Sequence, residues 1–305
     1  MRSSQSVTRH TKKSVRDFWD EGRTKMKELL GKPAADKINE DLMPQIEALK
    51  LEGVVPTLEV IRVGAREDDL AYERGLLKKF DSMNCKVVVK ELPSDCTQED
   101  LEKAVIDANN DKDIHGILMF RPLPKTLSEA RIKEIIAPSK DVDSMGTASL
   151  AGVFAGDKDT FPPCTAQAVI EILKFYGIEL KGKKVTVVGR SLVIGKPVSM
   201  LLMGENATVT ICHTKTADLK AECKAADIIV ACAGVAKMLG SDYVREGQYV
   251  IDVGMNVDES GKLCGDVDFA SVCEIVEGIT PVPRGVGSVT TSVLLKHTVN
   301  GALKA

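Results

Sequence analysis

The stretch Val185–Met203, VTVVGRSLVIGKPVSMLLM, decides the fold. An apolar run through Val185, Val187 and Val188 ends in Gly189-Arg190-Ser191, and five residues separate Gly189 from Gly195. An apolar segment with helical spacing follows. This is the pattern of a strand, a tight turn and a helix N-terminus, the arrangement that receives the pyrophosphate of a dinucleotide. A Walker loop is excluded. It needs four residues between its glycines and then Lys-Ser/Thr, whereas Pro197 follows Lys196 here and offers no hydroxyl to Mg²⁺. The GxGxxG form is absent too. What remains is a variant turn in which Gly189 permits the bend and Gly195 lets helix and phosphate approach. On this segment alone an ordinary βα turn stays open.

The next strand, Ala207–Cys212, narrows the choice. In NAD enzymes an acid at its end binds the ribose hydroxyls. Here it ends in His213-Thr214-Lys215-Thr216, with no acid. Hydroxyls and a cation suit a 2′-phosphate, which an acid would repel, and Arg190 adds a possible bidentate contact. NADP is therefore favoured over NAD.

Outward from this centre, strands are expected near 184–188, 227–232 and 249–253. A Gly-rich segment at 278–288 and an apolar helix over 289–303 close the chain. Before it, a helix is expected over 34–51, a strand over 57–63, a helix over 70–83 and a strand over 86–92. A helix capped by Ser94 or Thr97 then leads to a buried strand over 113–120. Alternating strands and helices imply parallel βαβ units, and the Pro/Gly/Asp-rich region 138–164 separates two sets of them. The 305 residues suffice for two domains.

Composition bounds the function. The chain is 44% hydrophobic and 28% charged, with net charge −3, so nothing favours nucleic acid or an anionic membrane. No apolar run approaches the ~20 residues of a membrane span. Eight cysteines without a CxxC pair read as reduced thiols of a cytoplasmic protein. The first 16 residues hold five Lys and Arg and no acid. Lacking an amphipathic face, they read as a surface extension rather than a transit peptide.

The motifs VVGRSLVIGKPVSMLL, ATVTICHTKT, DIIVACAG (227–234), IDVGMN, Gly265-Asp266-Val267 and TPVPRGVGSVT belong together. With Val63-Gly64, Tyr72, HGIL, PLPK, KDVDS and PPCT in the first half, they span residues 30–303 in consistent order. In them the chain resembles the methylenetetrahydrofolate dehydrogenase/cyclohydrolase family. The resemblance implies a two-domain α/β fold: an N-terminal α/β substrate domain, a Rossmann-type NAD(P)-binding domain, and a C-terminal helix returning to the first. The expected division is an extension at 1–28, a folate-binding catalytic domain at 29–160 plus 289–305, and the cofactor domain at 161–288. The implied activity oxidises 5,10-methylenetetrahydrofolate by hydride transfer to NADP⁺, commonly followed by hydrolysis of the methenyl product. A homodimer without metal is the implied assembly. By the same resemblance Tyr72 stacks the substrate and Asp143 of Lys140-Asp141-Val142-Asp143 contacts the pterin. Gly189, Arg190, Ser191, Gly195, His213, Thr214, Lys215, Ala233, Gly234 and Thr290 lie at the cofactor.

The chain departs from the family at the folate site. The family's Tyr-x-x-x-Lys reads Tyr72-Glu-Arg-Gly-Leu76, and Phe120 stands where a glutamine is usual. Leucine and phenylalanine transfer no proton, and losing such a group costs about 10²–10⁴-fold. Weak or absent cyclohydrolase activity is therefore expected. Lys79, on roughly the same helical face as Tyr72, is a possible substitute that would keep the enzyme bifunctional. Arg284 replaces a glycine of the C-terminal loop, where a positive φ would strain it or its cation would meet the folate glutamate tail. Ala166 and Ala168 replace the Pro and Gly of the family's PCTPxG. A dehydrogenase of a non-folate substrate and a non-catalytic nucleotide-binding protein remain the alternatives.

Overall fold

The computed structural model describes residues 26–305. The described chain opens with a two-residue strand, β1 (Lys27–Glu28), and a helix, Gly31–Leu51. The expected extension thus reaches into the fold at Lys27 and Glu28, and its residues 1–25 lie outside the described part. Three strands, β2 (Thr57–Val63), β3 (Lys86–Leu92) and β4 (Gly116–Met119), then form a parallel sheet in the order β3-β2-β4. The second half supplies β5 (Lys184–Val188), β6 (Thr208–Cys212), β7 (Ile228–Ala231) and β8 (Tyr249–Asp252). A short antiparallel hairpin follows, β9 (Asn256–Val257) with β10 (Leu263–Cys264), and then β11 (Gly278–Ile279). Its main sheet is parallel throughout, in the order β1-β11-β8-β7-β5-β6.

The sequence explains these elements. Every residue of Ile228–Ala231 is buried, as is all of β5 after Lys184. Parallel strands are covered on both faces, so they read as continuous β-branched runs rather than as alternation. Boundaries move by a few residues where a cap decides them. The helix expected at 70–83 runs Glu67–Asp81, and Asn84 turns the chain with φ +55°. Thr97 caps Gln98–Asn110 in a reciprocal box with Asp100, satisfying two otherwise unpaired N–H groups. No helix of the described residues is long and apolar enough to cross a membrane.

β6 and β7 flank β5 on opposite sides. The strand order therefore reverses at β5, and the crevice beyond its C-terminal end is where open α/β sheets bind ligands. The last helix, Thr290–Lys304, leaves this second half and packs on Gly31–Leu51 and on β2 and β4. Helix Cys164–Phe175 touches both that helix and Gly195–Gly204, so the two halves share a continuous apolar core. Close approach at the last helix depends on Gly301, where a Cβ would stand 2.3 Å from the His115 carbonyl oxygen.

Gly301→Ala should therefore lower stability by about 1–3 kcal/mol, the cost of overpacking, and depress the thermal midpoint. An unchanged midpoint would contradict the packing.

Candidate active site

A cleft of about 620 Å³ lies between the two sheets, within the usual range for small-molecule sites. The first half contributes Tyr72, Phe120, Arg121 and Asp143. The second contributes Asp252–Met255 and the loop from Pro281 to Thr290. The cleft thus unites Tyr72, Phe120, Asp143, Arg284 and Thr290. Gly189, Arg190, Ser191 and Gly195 stand apart, at the C-terminal end of β5, and His213–Lys215 beside them at the end of β6.

Tyr72 sits on the Glu67–Asp81 helix with its ring 5.6 Å from that of Phe120, tilted by 41°. Burial, with Cys164 and Asp143 nearby, pushes its phenol well above the usual tyrosine value. At neutral pH it is an apolar surface with a hydroxyl, not a base. Leu76, one turn on, does not face the cleft: it is fully buried in the core with Phe80.

The two aspartates of the 140–143 segment divide their work. Asp141 is buried and accepts the N–H groups of Met145 and Gly146, which is the turn role. Asp143 opens to the cleft. Its Oδ1 accepts the Cys164 N–H at 2.7 Å, and its Oδ2 lies 3.9 Å from the Arg121 guanidinium. Burial raises its proton affinity, against the pull of Cys164 N–H and Arg121.

Cys164 and His297 are neighbours, Sγ to Nδ1 at 3.7 Å, yet they form no nucleophilic pair. Both address the Val142 carbonyl, at 3.3 Å and 2.8 Å. Burial raises the thiol and lowers the imidazole to about 4, so both stay neutral near pH 7.

Arg284 has φ +84°, the strained backbone that the sequence suggested. Its guanidinium bonds Glu28 at 2.9 Å, which ties the loop to β1.

On the cofactor side, Gly189 has φ +139°, and a Cβ there would be 2.4 Å from the Cys232 carbonyl oxygen. A Cβ on Gly195 would be 2.4 Å from the Gly189 oxygen. The turn is closed to any other residue, and neither glycine puts a side chain between the backbone and a phosphate. Ser191 Oγ accepts the N–H groups of Ile194 and Gly195, opening the Gly195–Gly204 helix while its hydroxyl proton stays available. At the end of β6, His213 Nδ1 accepts the Lys215 N–H, and Thr216 Oγ1 accepts the His213 N–H. His213 shapes the turn, and Thr214 and Lys215 are exposed. These groups fit a phosphorylated dinucleotide.

Ala233 and Gly234, expected at the cofactor, turn their backbone donors inward. Both N–H groups bond Asp266 Oδ2, and that of Val235 bonds Oδ1 at 2.9 Å, so no free backbone donor remains there. Asp252 in turn accepts from Gly254, Asp266 and Val267. Burial raises it to about 6 despite those bonds. Both acids stand in the motifs IDVGMN and Gly265-Asp266-Val267, to which the sequence alone assigns no role. Their signal was an acid directly after an apolar strand or inside a Gly-Asp-Val, where burial demands partners.

Comparison with known proteins accords with this geometry. Residues 29–143 match the family model described as "Tetrahydrofolate dehydrogenase/cyclohydrolase, catalytic domain". Residues 163–305 match "Tetrahydrofolate dehydrogenase/cyclohydrolase, NAD(P)-binding domain". The "Bifunctional protein FolD" of Clostridioides difficile is 55% identical over 276 residues, covering 90% of this chain and 96% of its own. The crystal structure of the bifunctional FolD enzyme from Campylobacter jejuni superposes with TM-score 0.88 at 39% identity, over 92% of this chain and 99% of that one. The Trypanosoma brucei dehydrogenase-cyclohydrolase, solved with NADP and an inhibitor, gives 0.85 at 34%, over 92% and 99%.

Two substitutions test the site. Arg284→Gly should relieve ~1–3 kcal/mol of backbone strain against an exposed ion pair worth about 0–1 kcal/mol. The thermal midpoint should rise by about 2–4 °C, and a fall would give the Glu28 contact the larger share. Gly189→Ala should weaken NADP binding at least about tenfold, since that is only ~1.4 kcal/mol and the turn must shift. Calorimetric titration of the folded variant measures it, and wild-type affinity would refute the role of this turn.

Proposed function

The chain belongs to the tetrahydrofolate dehydrogenase/cyclohydrolase family, and on that premise we propose that its cleft converts 5,10-methylenetetrahydrofolate to the 5,10-methenyl form with NADP⁺. The observation that carries this is the meeting, in one cleft, of Tyr72, Phe120 and Asp143 with the 281–290 loop of the dinucleotide-binding half. The cofactor, when bound, supplies the hydride acceptor.

The chain's own residues orient. Tyr72 carries the aminobenzoyl ring on its face, with Phe120 behind it. Asp143, with one oxygen held by the Cys164 N–H, offers the other to the pterin edge. Gly189, Arg190, Ser191 and Gly195 would receive the phosphates, Thr214 and Lys215 the 2′-phosphate, and Thr290 would stand at the cofactor. Lone pairs on the substrate nitrogens drive hydride departure, so placement is the protein's main contribution. Residues 29–160 with 289–305 form the substrate half in this reading, and 161–288 the cofactor half. A homodimer through the cofactor sheet, whose edge strand β6 exposes Ile211, and a cytoplasmic location belong to the same proposal.

Hydrolysis of the methenyl product is the finer question. Water attack needs a group that activates or holds the water. Leu76 lies in the core, and Phe120 offers only a ring. Both support weak or absent cyclohydrolase activity. The second reading, retained hydrolysis, is favoured by the name bifunctional carried by the 55% identical relative.

Purified protein with methylenetetrahydrofolate and NADP⁺ should form the methenyl product, faster than with NAD⁺. That product should then decay at its uncatalysed rate. Decay accelerated in proportion to enzyme would establish the bifunctional reading, and absence of product would reject the dehydrogenase.

A further inference from the structure

Arg121 is a cation that the fold brings to the cleft without spending it. Its guanidinium lies 3.5 Å from Glu129 and 3.9 Å from Asp143. Both contacts are longer than the about 2.7–2.9 Å of a charge-assisted hydrogen bond. Glu129 is also paired with Lys133 at 2.8 Å, so its charge is already matched. The main chain beneath the side chain is fixed. The Phe120 N–H bonds the Ile61 carbonyl at 3.0 Å. Arg66, clamped on Asp69 through two nitrogens, reaches the Arg121 carbonyl at 3.2 Å. Arg121 therefore holds a set place on the cleft wall beside Phe120.

Asp143 is its counterpart. One carboxylate oxygen takes the Cys164 N–H at 2.7 Å, and the other accepts no hydrogen bond among the described residues. A donor and an acceptor, each with capacity left, thus line the same cleft. Their separation of 3.9 Å is too long for one to satisfy the other. It suits two side chains that bond neighbouring atoms along the edge of one ring. Both side chains are only 26% exposed, and at such sites unfilled polar groups are costly.

The ring edge that fits carries N–H donors beside a carbonyl acceptor. A 2-amino-4-oxo pyrimidine presents that order: amino N–H, ring N–H, carbonyl oxygen. We infer that Arg121 is a specificity-determining residue, donating to the 4-oxo oxygen of the pterin while Asp143 accepts the N–H groups beside it. The inference rests on the folate reading above and adds to it the group that tells a 4-oxo from a 4-amino ring. A 4-amino ring turns a donor toward a guanidinium that can only donate, and a site built for one hydrogen-bond pattern rejects a ligand that lacks it.

The test titrates tetrahydrofolate and its 4-amino-4-deoxy counterpart calorimetrically, with NADP⁺ present, into wild type, Arg121→Met and Arg121→Lys. Arg121→Met should weaken tetrahydrofolate about tenfold, as for a hydrogen bond to a charged donor at a partly exposed place. The 4-amino compound should stay within about twofold. Arg121→Lys keeps a charge and a donor but loses the planar fork, and should recover part of the loss. Unchanged NADP⁺ affinity reports an intact fold. Should Arg121→Met not fold, Arg121→Lys must still lose more affinity for the 4-oxo than for the 4-amino ligand. Equal weakening of both ligands would overturn the assignment, leaving Arg121 to act only through the charge of Asp143. So would no weakening of either. If wild type bound neither compound, the folate reading would fall together with this role.

Discussion

The rest of the structure depends on the return of the last helix. The chain leaves the first sheet at Asp143, builds the second, and comes back along Thr290–Lys304 to lie on β2, β4 and the first helix. Gly301 against the His115 carbonyl and His297 Nδ1 at the Val142 carbonyl hold it at backbone distance. Contacts this close tolerate no added atom, because interiors are packed to crystal density. Seating the helix also draws the 281–290 loop across the gap between the sheets. The Gly31 N–H then bonds the Arg284 carbonyl at 2.8 Å, and the Arg284 side chain bonds Glu28. The cleft follows from that return.

Its two walls are built differently. On the cofactor side, buried carboxylates gather backbone N–H groups: Asp266 takes those of residues 233–235, and Asp252 takes those of Gly254, Asp266 and Val267. A buried charge is tolerated only when so surrounded, and the same bonds freeze the turns that make them. On the substrate side the wall is made of side chains, Tyr72 and Phe120, with one half-satisfied acid, Asp143. That wall can change its chemistry by substitution without disturbing the fold. Leu76 and Phe120 both belong to the first half, Leu76 in its core and Phe120 on the cleft wall.

Much of this was legible in the chain itself. Strand positions followed from runs such as Ile228–Ala231, because β-branched residues buried on both faces leave no periodicity to misread. The dinucleotide turn was legible because only glycine fits at 189 and 195. Helix ends were less so: Glu67 and Gly31 begin helices without a side-chain cap to announce them. Of the site, Tyr72, Asp143, Phe120, Arg284 and Thr290 do meet in the cleft. The positive φ at Arg284 was foreseeable from the glycine it replaces, but its partner Glu28, 256 positions away, was not. Ala233 and Gly234 could not be read as engaged donors, because the carboxylate that engages them lies over thirty residues on.

By itself, then, the sequence determined the alternation of strands and helices, the glycine turn after β5, the acid-free end of β6 and the apolar side chain at 76. These are local facts, set by side-chain shape, periodicity and the φ range of glycine. Tertiary structure decided where Leu76 went, which of Asp141 and Asp143 faces the cleft, what holds Arg284, and that Arg121 comes to stand beside Asp143. Those outcomes depend on which distant groups arrive within hydrogen-bond reach once the last helix closes the two halves together. No spacing along the chain encodes a distance through space.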